Sequence, residues 1–414
     1  MTIPTFRDVS GEVGRVLLEQ GALGAVLVDL APLAPIERSF GGTAFRALRA
    51  QIDPLLDEMR ERFRSSDLLT RDEREGDRFV LFLAGRREAE GPFVNVNLRK
   101  LADRVEEFLG PRIGRLSLPY QRERPEIDVG YGFVLWSPLE SPERQVLRLI
   151  DEARAASELR RRVRERDQRE LLTEIIFNRQ LWTAFQPIVE LASRAVMGWE
   201  GLSRGPRGSD LELPLVLFAR AARFGLTAEL ERSCRRQAFI DWEILGAPER
   251  LFLNTVPATV RDTSFLGRGV LDYLGPRLSP HSVTLEITER QVIENLSLYR
   301  EAMQAFTDLG FSFAIDDVGA GHSGLETVAV LRPSYLKIDM ALVRDVHLKK
   351  VNQQVVKAIL EMAAGLGATV IAEGIQTAEE AEAIAGLGVR FGQGYYLARP
   401  VDPYAPSPPG GAER

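Results

Sequence analysis

Cysteine and histidine are almost missing: the 414 residues contain one cysteine, Cys234, and three histidines, His281, His322 and His347. A lone cysteine excludes an intrachain disulfide and fits a reducing cytoplasm. So few soft donors also exclude a zinc-type cluster, and any metal bound here should be a hard ion held by oxygen. No apolar run approaches the ~20 residues of a membrane span. The opening MTIPTFRDVSGEVG lacks the basic and apolar regions of a secretory signal. Positive charge is not in excess: the formal net charge of −6 argues against non-specific binding to nucleic-acid polymers or membranes, while leaving a local basic pocket open. A cytoplasmic protein is expected. With 45% hydrophobic and 27% charged residues, the chain has the composition of a globular protein, and its length suggests two domains and a connector.

Three regions follow from the pattern. Residues 1–141 mix strand-like runs (GAVLVDL, RFVLFLAG, VGYGFVLW) with helical ones such as ALRAQIDPLLDEMRERF, which predicts an α/β or α+β domain. Residues 142–178 contain no glycine and one proline near the start, with Ser141 or Ser157 available as caps, and predict a linking helix. Its charged centre, ELRRRVRERDQRE, reads as a solvated face; its apolar positions are too sparse for sustained heptads. Residues 179–403 form the third region; the Pro/Gly-rich stretch after Pro400, VDPYAPSPPGGAER, is expected to be disordered, with 404–414 forming the tail beyond the domain.

The third region carries the chemistry. Short apolar runs there, rich in β-branched residues, read as buried strands, and polar residues sit at their ends: Glu200, Asn254, Glu286, Asp316, Asp317, Lys337 and Glu373. A carboxylate or amide in a buried strand is costly unless paired or bound to a cation. Successive markers from Asn254 to Gln393 lie 20 to 36 residues apart, the length of βα units. Eight such strands predict a TIM-like (β/α)8 barrel, whose functional residues gather at the C-terminal strand ends. Only ELASRA separates the first two strands, too little for a parallel crossover, so the first strand should be antiparallel.

Adjacent Asp316 and Asp317 can serve one site only where the strand ends and turns, and the glycines of DDVGAGHSG supply a turn. As an isolated pair they would read as caps of a following helix; beside four further polar strand ends they read as one site. Converging carboxylates repel unless cations neutralise them, and two divalent ions sharing an aspartate suit in-line phosphoryl displacement. Lys337 either snorkels to solvent or faces the carboxylates, where it could orient the attacking water or offset developing charge. Arg204 is either a phosphate ligand or a surface ion pair.

At these residues the third region resembles the EAL domain, a family of cyclic di-GMP phosphodiesterases. The matching motifs are FQPIV (185–189), WEGLSR (199–204), LFLN (251–254), LEITE (285–289), IDDVGAGHSGL (315–325), LKID (336–339), AEGIQ (372–376) and GQGYYL (392–397). The resemblance implies a barrel with an antiparallel first strand. It also implies hydrolysis of cyclic di-GMP to linear pGpG in bacterial second-messenger signalling, with two Mg²⁺ or Mn²⁺ ions and inhibition by Ca²⁺. Carried over by residue, Glu200, Asn254, Glu286 and Asp316 would hold one metal, and Asp316 and Asp317 would engage the second. Glu373 would be the general base and Lys337 would position the water, while Gln186, Leu202, Arg204 and Gln393 would line the substrate. Glu289 would couple the aspartate loop to a homodimer. The alternative class is a non-catalytic cyclic di-GMP receptor that signals through protein partners.

Four positions depart from the family pattern. Gly201 stands for the alanine of the signature, which should loosen the strand and keep the ligand. Gln376 replaces a glutamate three residues after the base and removes a charge near the metals. His322 and Gly324 alter the glycine loop.

The first region resembles, less closely, a degenerate GGDEF cyclase domain through VLVDLAPLAPIERSFG (26–41) and REGDRFVLFL (74–83). Asp29 stands at that family's first metal-binding acid, but the signature reads Glu75-Gly76-Asp77-Arg78-Phe79, with Arg78 where a metal-binding acid is required. A cation there opposes Mg²⁺, so the domain is expected to be a regulatory or protein-binding module without catalysis. Arg64 and Asp67 form an RxxD pair like that family's allosteric product site; an ordinary surface ion pair is the competing reading.

Overall fold

The computed structural model describes residues 3–64, 66–71, 77–84, 96–118, 120, 126–255, 270–271, 274–276, 278–288, 296–319 and 331–405. The chain divides into two compact units, Met1–Leu171 and Leu172–Arg414. Among the described residues no helix is long and apolar enough to cross a membrane.

In the first unit the strands β1 (Ala22–Asp29), β2 (Leu68–Arg71), β3 (Arg78–Ala84) and β4 (Asp128–Leu135) make an antiparallel sheet in the order β2-β3-β1-β4. Strands β1 and β3 are apolar along nearly their whole length because both faces of the sheet are covered. One face packs against α2 (Ala34–Glu61) and α3 (Val96–Ser117), and the other against α1 (Phe6–Gln20) and the start of α4 (Pro142–Phe177). Helix α4 has the expected extent, and Arg144 N donates to Ser141 Oγ at its start. Its charged centre is less solvated than expected. Arg160 contacts Asp103 and Glu106, and Arg164 contacts Glu106, Glu126 and Asp128. Those arginines therefore pin the helix to the sheet and to α3.

Register decides what happens at Asp29. It lies opposite Arg78 on β3 and Asp128 on β4. Arg78 Nε donates to Asp29 Oδ2 at 3.0 Å, and Asp29 Oδ1 accepts from Ala31 N at 2.9 Å. The guanidinium thus neutralises the buried Asp29 carboxylate within the sheet. Asp67 is buried and spends its carboxylate on Arg64 N and Ala84 N, 3.1 Å each, which closes the turn before β2. That is neither a surface ion pair nor an acid left free for a ligand. Glu75 and Gly76 lie outside the described residues.

The second unit is a closed eight-stranded barrel. Its strands are β5 (Trp182–Glu190), β6 (Val196–Arg204), β7 (Arg250–Asn254), β8 (Val283–Thr288), β9 (Ser312–Val318), β10 (Tyr335–Ile338), β11 (Thr369–Ala372) and β12 (Phe391–Gly392), in the order β10-β11-β12-β5-β6-β7-β8-β9. Strand β5 runs antiparallel to both its neighbours and every other pairing is parallel. A turn, not a helix, joins β5 to β6. The core lies largely between strands and outer helices, with Phe185, Trp242, Tyr299 and Phe306 among its largest buried side chains.

Two expectations change here. Gly201 does not loosen its strand: a Cβ there would meet Leu253 Cδ2 at 2.8 Å, so Leu253 already fills the space an alanine would take. The stretch after Pro400 is not free chain throughout either. Val401 bridges Phe185 in antiparallel fashion and the Tyr404 hydroxyl donates to Asp241. Residues 406–414 lie outside the described residues.

Candidate active site

Parallel strands enter the barrel mouth with their C-terminal ends together, and register brings the polar ends into one cluster. Glu200 lies opposite Gln186, Asn254 opposite Glu286, and Asp316 opposite Thr288. Lys337 is at the centre and fully buried. Its ammonium lies 2.6 Å from Glu373, 2.8 Å from Glu286, 3.3 Å from Glu200 and 3.5 Å from Asp316. Of the two readings open for this lysine, the structure selects the one facing the carboxylates.

The aspartate pair is joined by a break in the pleat. Asp317 has φ 58°, a left-handed conformation, and the pairing of β9 with β10 slips there, so that the three steps from Ile315 to Val318 on β9 oppose the two from Leu336 to Ile338 on β10. This bulge defeats the alternation that would send neighbouring side chains to opposite faces. As a result Asp316, Asp317 and Glu373 offer ligand atoms within 4.8 Å of one another.

Burial and mutual repulsion govern the charges. Burial pushes Glu286 well above the usual carboxylate range, reinforced by Glu200, Asp316 and Glu373 and opposed by Lys337. Burial, then Asp316, does the same to Glu373. Asp317 is raised to about 6 by burial, Asp316 and Asp339. For Glu200 burial is outweighed by Lys337 and by amide donors, which hold it below the usual range. Those donors are Gln393 Nε2 at 2.6 Å and Asn254 Nδ2 at 2.9 Å. Lys337 is raised well above its ordinary value, because four carboxylates outweigh the burial that disfavours its charge.

One ammonium cannot balance this many carboxylates. Glu286 is fully buried, with Oε1 meeting the Lys337 ammonium and Oε2 left without a hydrogen-bond partner, and the groups that could ligate a cation here are all oxygen. That donor set fits a hard divalent cation rather than a thiolate- or imidazole-binding metal.

Gln186, Leu202, Arg204 and Gln393 lie on the β12, β5 and β6 side of the cluster. Gln393 Nε2 also donates to Gln186 Oε1 at 3.0 Å, and Gln186 Nε2 donates to Ala398 O at 3.0 Å. Gln393 Oε1 is buried and has no hydrogen-bond partner. Leu202 and the half-buried Arg204 stand at the end of β6; Arg204 Nη1 donates to Leu202 O and Ser203 O at 3.3 and 3.0 Å. Glu289, His322 and Gly324 lie outside the described residues.

Gln376 is not part of the buried cluster. Its side chain is exposed and accepts from Arg344, while Gln376 N donates to Glu380 Oε2 at 2.8 Å. Arg344 and the buried Glu380 escaped the sequence reading. Glu380 had a legible signal, the capping box Thr377-Ala378-Glu379-Glu380 that starts the helix Ala378–Gly386. Arg344 had none, since its pairing joins loops after two different strands.

The EAL domain family matches residues 168–400, an interval holding all eight barrel strands. Two curated relatives are both from Escherichia coli K12. The probable cyclic di-GMP phosphodiesterase PdeN is 31% identical over 249 residues, covering 58% of this chain and 47% of its own. The cyclic di-GMP phosphodiesterase PdeR is 31% identical over 241 residues, covering 56% and 35%. The chain thus spans less than half the length of either. Among solved structures, an EAL enzyme with cAMP and cyclic di-GMP bound is 25% identical at a TM-score of 0.52, covering 68% of this chain and 80% of that one. The Xanthomonas citri FimX EAL domain in complex with c-diGMP reaches a TM-score of 0.54 at 19% identity, covering 58% and 96%, and supports the fold alone. With more than half of the sequence inside the family match and the barrel closed around its polar strand ends, this chain belongs to the EAL domain family.

Proposed function

We propose that the barrel hydrolyses cyclic di-GMP to linear pGpG. The observation that carries this reading is the oxygen-only cluster of Glu200, Glu286, Asp316, Asp317 and Glu373 around the single buried Lys337. Glu200, Asn254, Glu286, Asp316 and Asp317 would hold two Mg²⁺ or Mn²⁺ ions, with Ca²⁺ allowing binding without turnover. When bound, such ions neutralise phosphate charge and stabilise the attacking and leaving oxygens. Glu373 takes the proton from the attacking water, a task suited to a carboxylate raised by burial. Lys337, 2.6 Å away, fixes that carboxylate and offsets negative charge as it builds on the phosphoryl group. A bond forms between phosphorus and the water oxygen, the bond to one ribose 3′ oxygen breaks, and that oxygen ends protonated. Arg204 offers a guanidinium to phosphate, Leu202 an apolar wall, and Gln393 its spare acceptor oxygen to a donor on the substrate.

The same reading makes the first unit a degenerate cyclase-type module that regulates the barrel or docks a protein partner. The Arg78–Asp29 pair in place of a metal supports this assignment. With Asp67 consumed internally, the Arg64/Asp67 pair is the weaker part of it. A cytoplasmic homodimer through the barrel belongs to the proposal as well.

A second reading, a receptor that binds without turnover, draws on Gln376, which stands where the family pattern has a glutamate. Purified protein incubated with cyclic di-GMP and Mg²⁺ or Mn²⁺, with pGpG followed by chromatography, separates the two. Intact binding in Ca²⁺ with no product would leave only the receptor. Under the enzyme reading, Gln376→Glu is expected to preserve or raise turnover, because Arg344 can pair with either side chain. A folded but inactive Gln376→Glu protein would overturn this view of the position.

A further inference from the structure

We propose that residues Ala398–Tyr404 form a strap that completes the barrel seam beside β5 and positions Gln186 and Gln393 for substrate. The inference rests on the phosphodiesterase reading only where it concerns substrate. Strand β12 is two residues long and, on its β5 side, reaches only the far end of that strand, Phe391 pairing with Glu190 and Gly392 with Val189. Beyond Gly392 the chain stays bonded to β11, with Gln393 N donating to Ala372 O, and gives β5 no further partner from this strand. The half of β5 at the barrel mouth would therefore present unpaired backbone groups at this seam. Val401 covers that edge: Phe185 N donates to Val401 O at 2.9 Å and Val401 N to Phe185 O at 2.8 Å.

Two anchors hold the strap. The Tyr404 hydroxyl donates to Asp241, a fully buried carboxylate that also accepts from Thr183 N at 2.7 Å and Gln237 Nε2 at 2.8 Å. Arg207 donates through both terminal nitrogens to Asp402 and stacks 4.0 Å over the Trp182 ring. Between barrel and anchors, the Ala398 carbonyl takes the Gln186 amide, and Gln186 takes the Gln393 amide. A displaced strap would free Gln186 to rotate, and Gln393 would lose one of the two acceptors that fix its amide. Val401, Asp402 and Tyr404 are thus positioning residues, acting through the glutamines on binding more than on the chemical step.

The test uses full-length Val401→Pro, which deletes the N–H given to Phe185, and Tyr404→Phe, which keeps the ring and removes the donor. The KM for cyclic di-GMP should rise about tenfold in the first and about threefold in the second, the size of one or two lost hydrogen bonds, with kcat within about a factor of two. Amide exchange at Phe185 in metal-free protein should accelerate in both variants. A general packing defect would instead lower the melting temperature without this split between KM and kcat. Unchanged KM and unchanged Phe185 exchange in folded Val401→Pro protein would overturn the strap. If Gln186→Ala raises KM while neither strap variant does, the strap fails and the phosphodiesterase reading stands. If the wild-type protein neither binds nor cleaves cyclic di-GMP, the phosphodiesterase reading and the positioning of substrate fall, and Phe185 exchange alone decides whether the strap seals the seam.

Discussion

Lys337→Met is expected to abolish turnover and to destabilise the metal-free barrel by about 3–5 kcal/mol, the cost of stripping one partner from a buried charge cluster. The side chain is fully buried and its ammonium lies within 3.5 Å of four carboxylates. Methionine fills similar volume, so the effect reports on charge rather than on a cavity. Deprived of the ammonium, the cluster can relieve itself only by taking up protons or a cation. The loss should therefore shrink on acidification, as the already raised Glu286 and Glu373 protonate, and on addition of Mg²⁺ or Mn²⁺. Urea unfolding with EDTA and with metal, beside the pGpG assay, measures both effects. Near-wild-type stability in EDTA would mean that Lys337 does not neutralise the cluster.

Glu373→Gln should lower kcat by about 10²–10⁴, the usual contribution of a positioned base, while leaving binding of cyclic di-GMP in Ca²⁺ intact. The amide keeps the size of the side chain and can still accept from Lys337, but it cannot take a proton from water. Removing a carboxylate that burial and Asp316 both disfavour should leave the melting temperature unchanged or slightly higher. Residual kcat above about a tenth of wild type would move the base elsewhere, and Asp317, raised to about 6, is the next carboxylate to test.

Much of the barrel was legible because its signals are local. Apolar runs ending in polar residues mark strands that enter a mouth together, and the six residues ELASRA were enough to require an antiparallel first strand. The roles of Lys337 and of the Asp316/Asp317 pair were legible only as alternatives. A lysine in YLKID can face in or out, and nothing in the letters DD announces a left-handed residue and a bulge. Gln376 is legible as a departure from the family pattern, but its contact with Arg344 is not, because it joins two loops 32 residues apart. The charged centre of α4 was read as solvated because its acidic partners, Asp103, Glu106, Glu126 and Asp128, are distant in sequence. The stretch after Pro400 was read as disordered because its composition hides one tyrosine with a buried carboxylate waiting for it.

The sequence by itself determined the fold class, the antiparallel hairpin and the oxygen-only chemistry of the site, since periodicity, loop length and residue type are properties of neighbouring letters. Tertiary structure alone decided that Lys337 is the buried hub, that the bulge at Asp317 aims two aspartates at one place, that Gln376 faces Arg344, and that Val401 seals the seam. Each of these depends on which distant segments meet, and burial then multiplies the energy of every charge and hydrogen bond formed there.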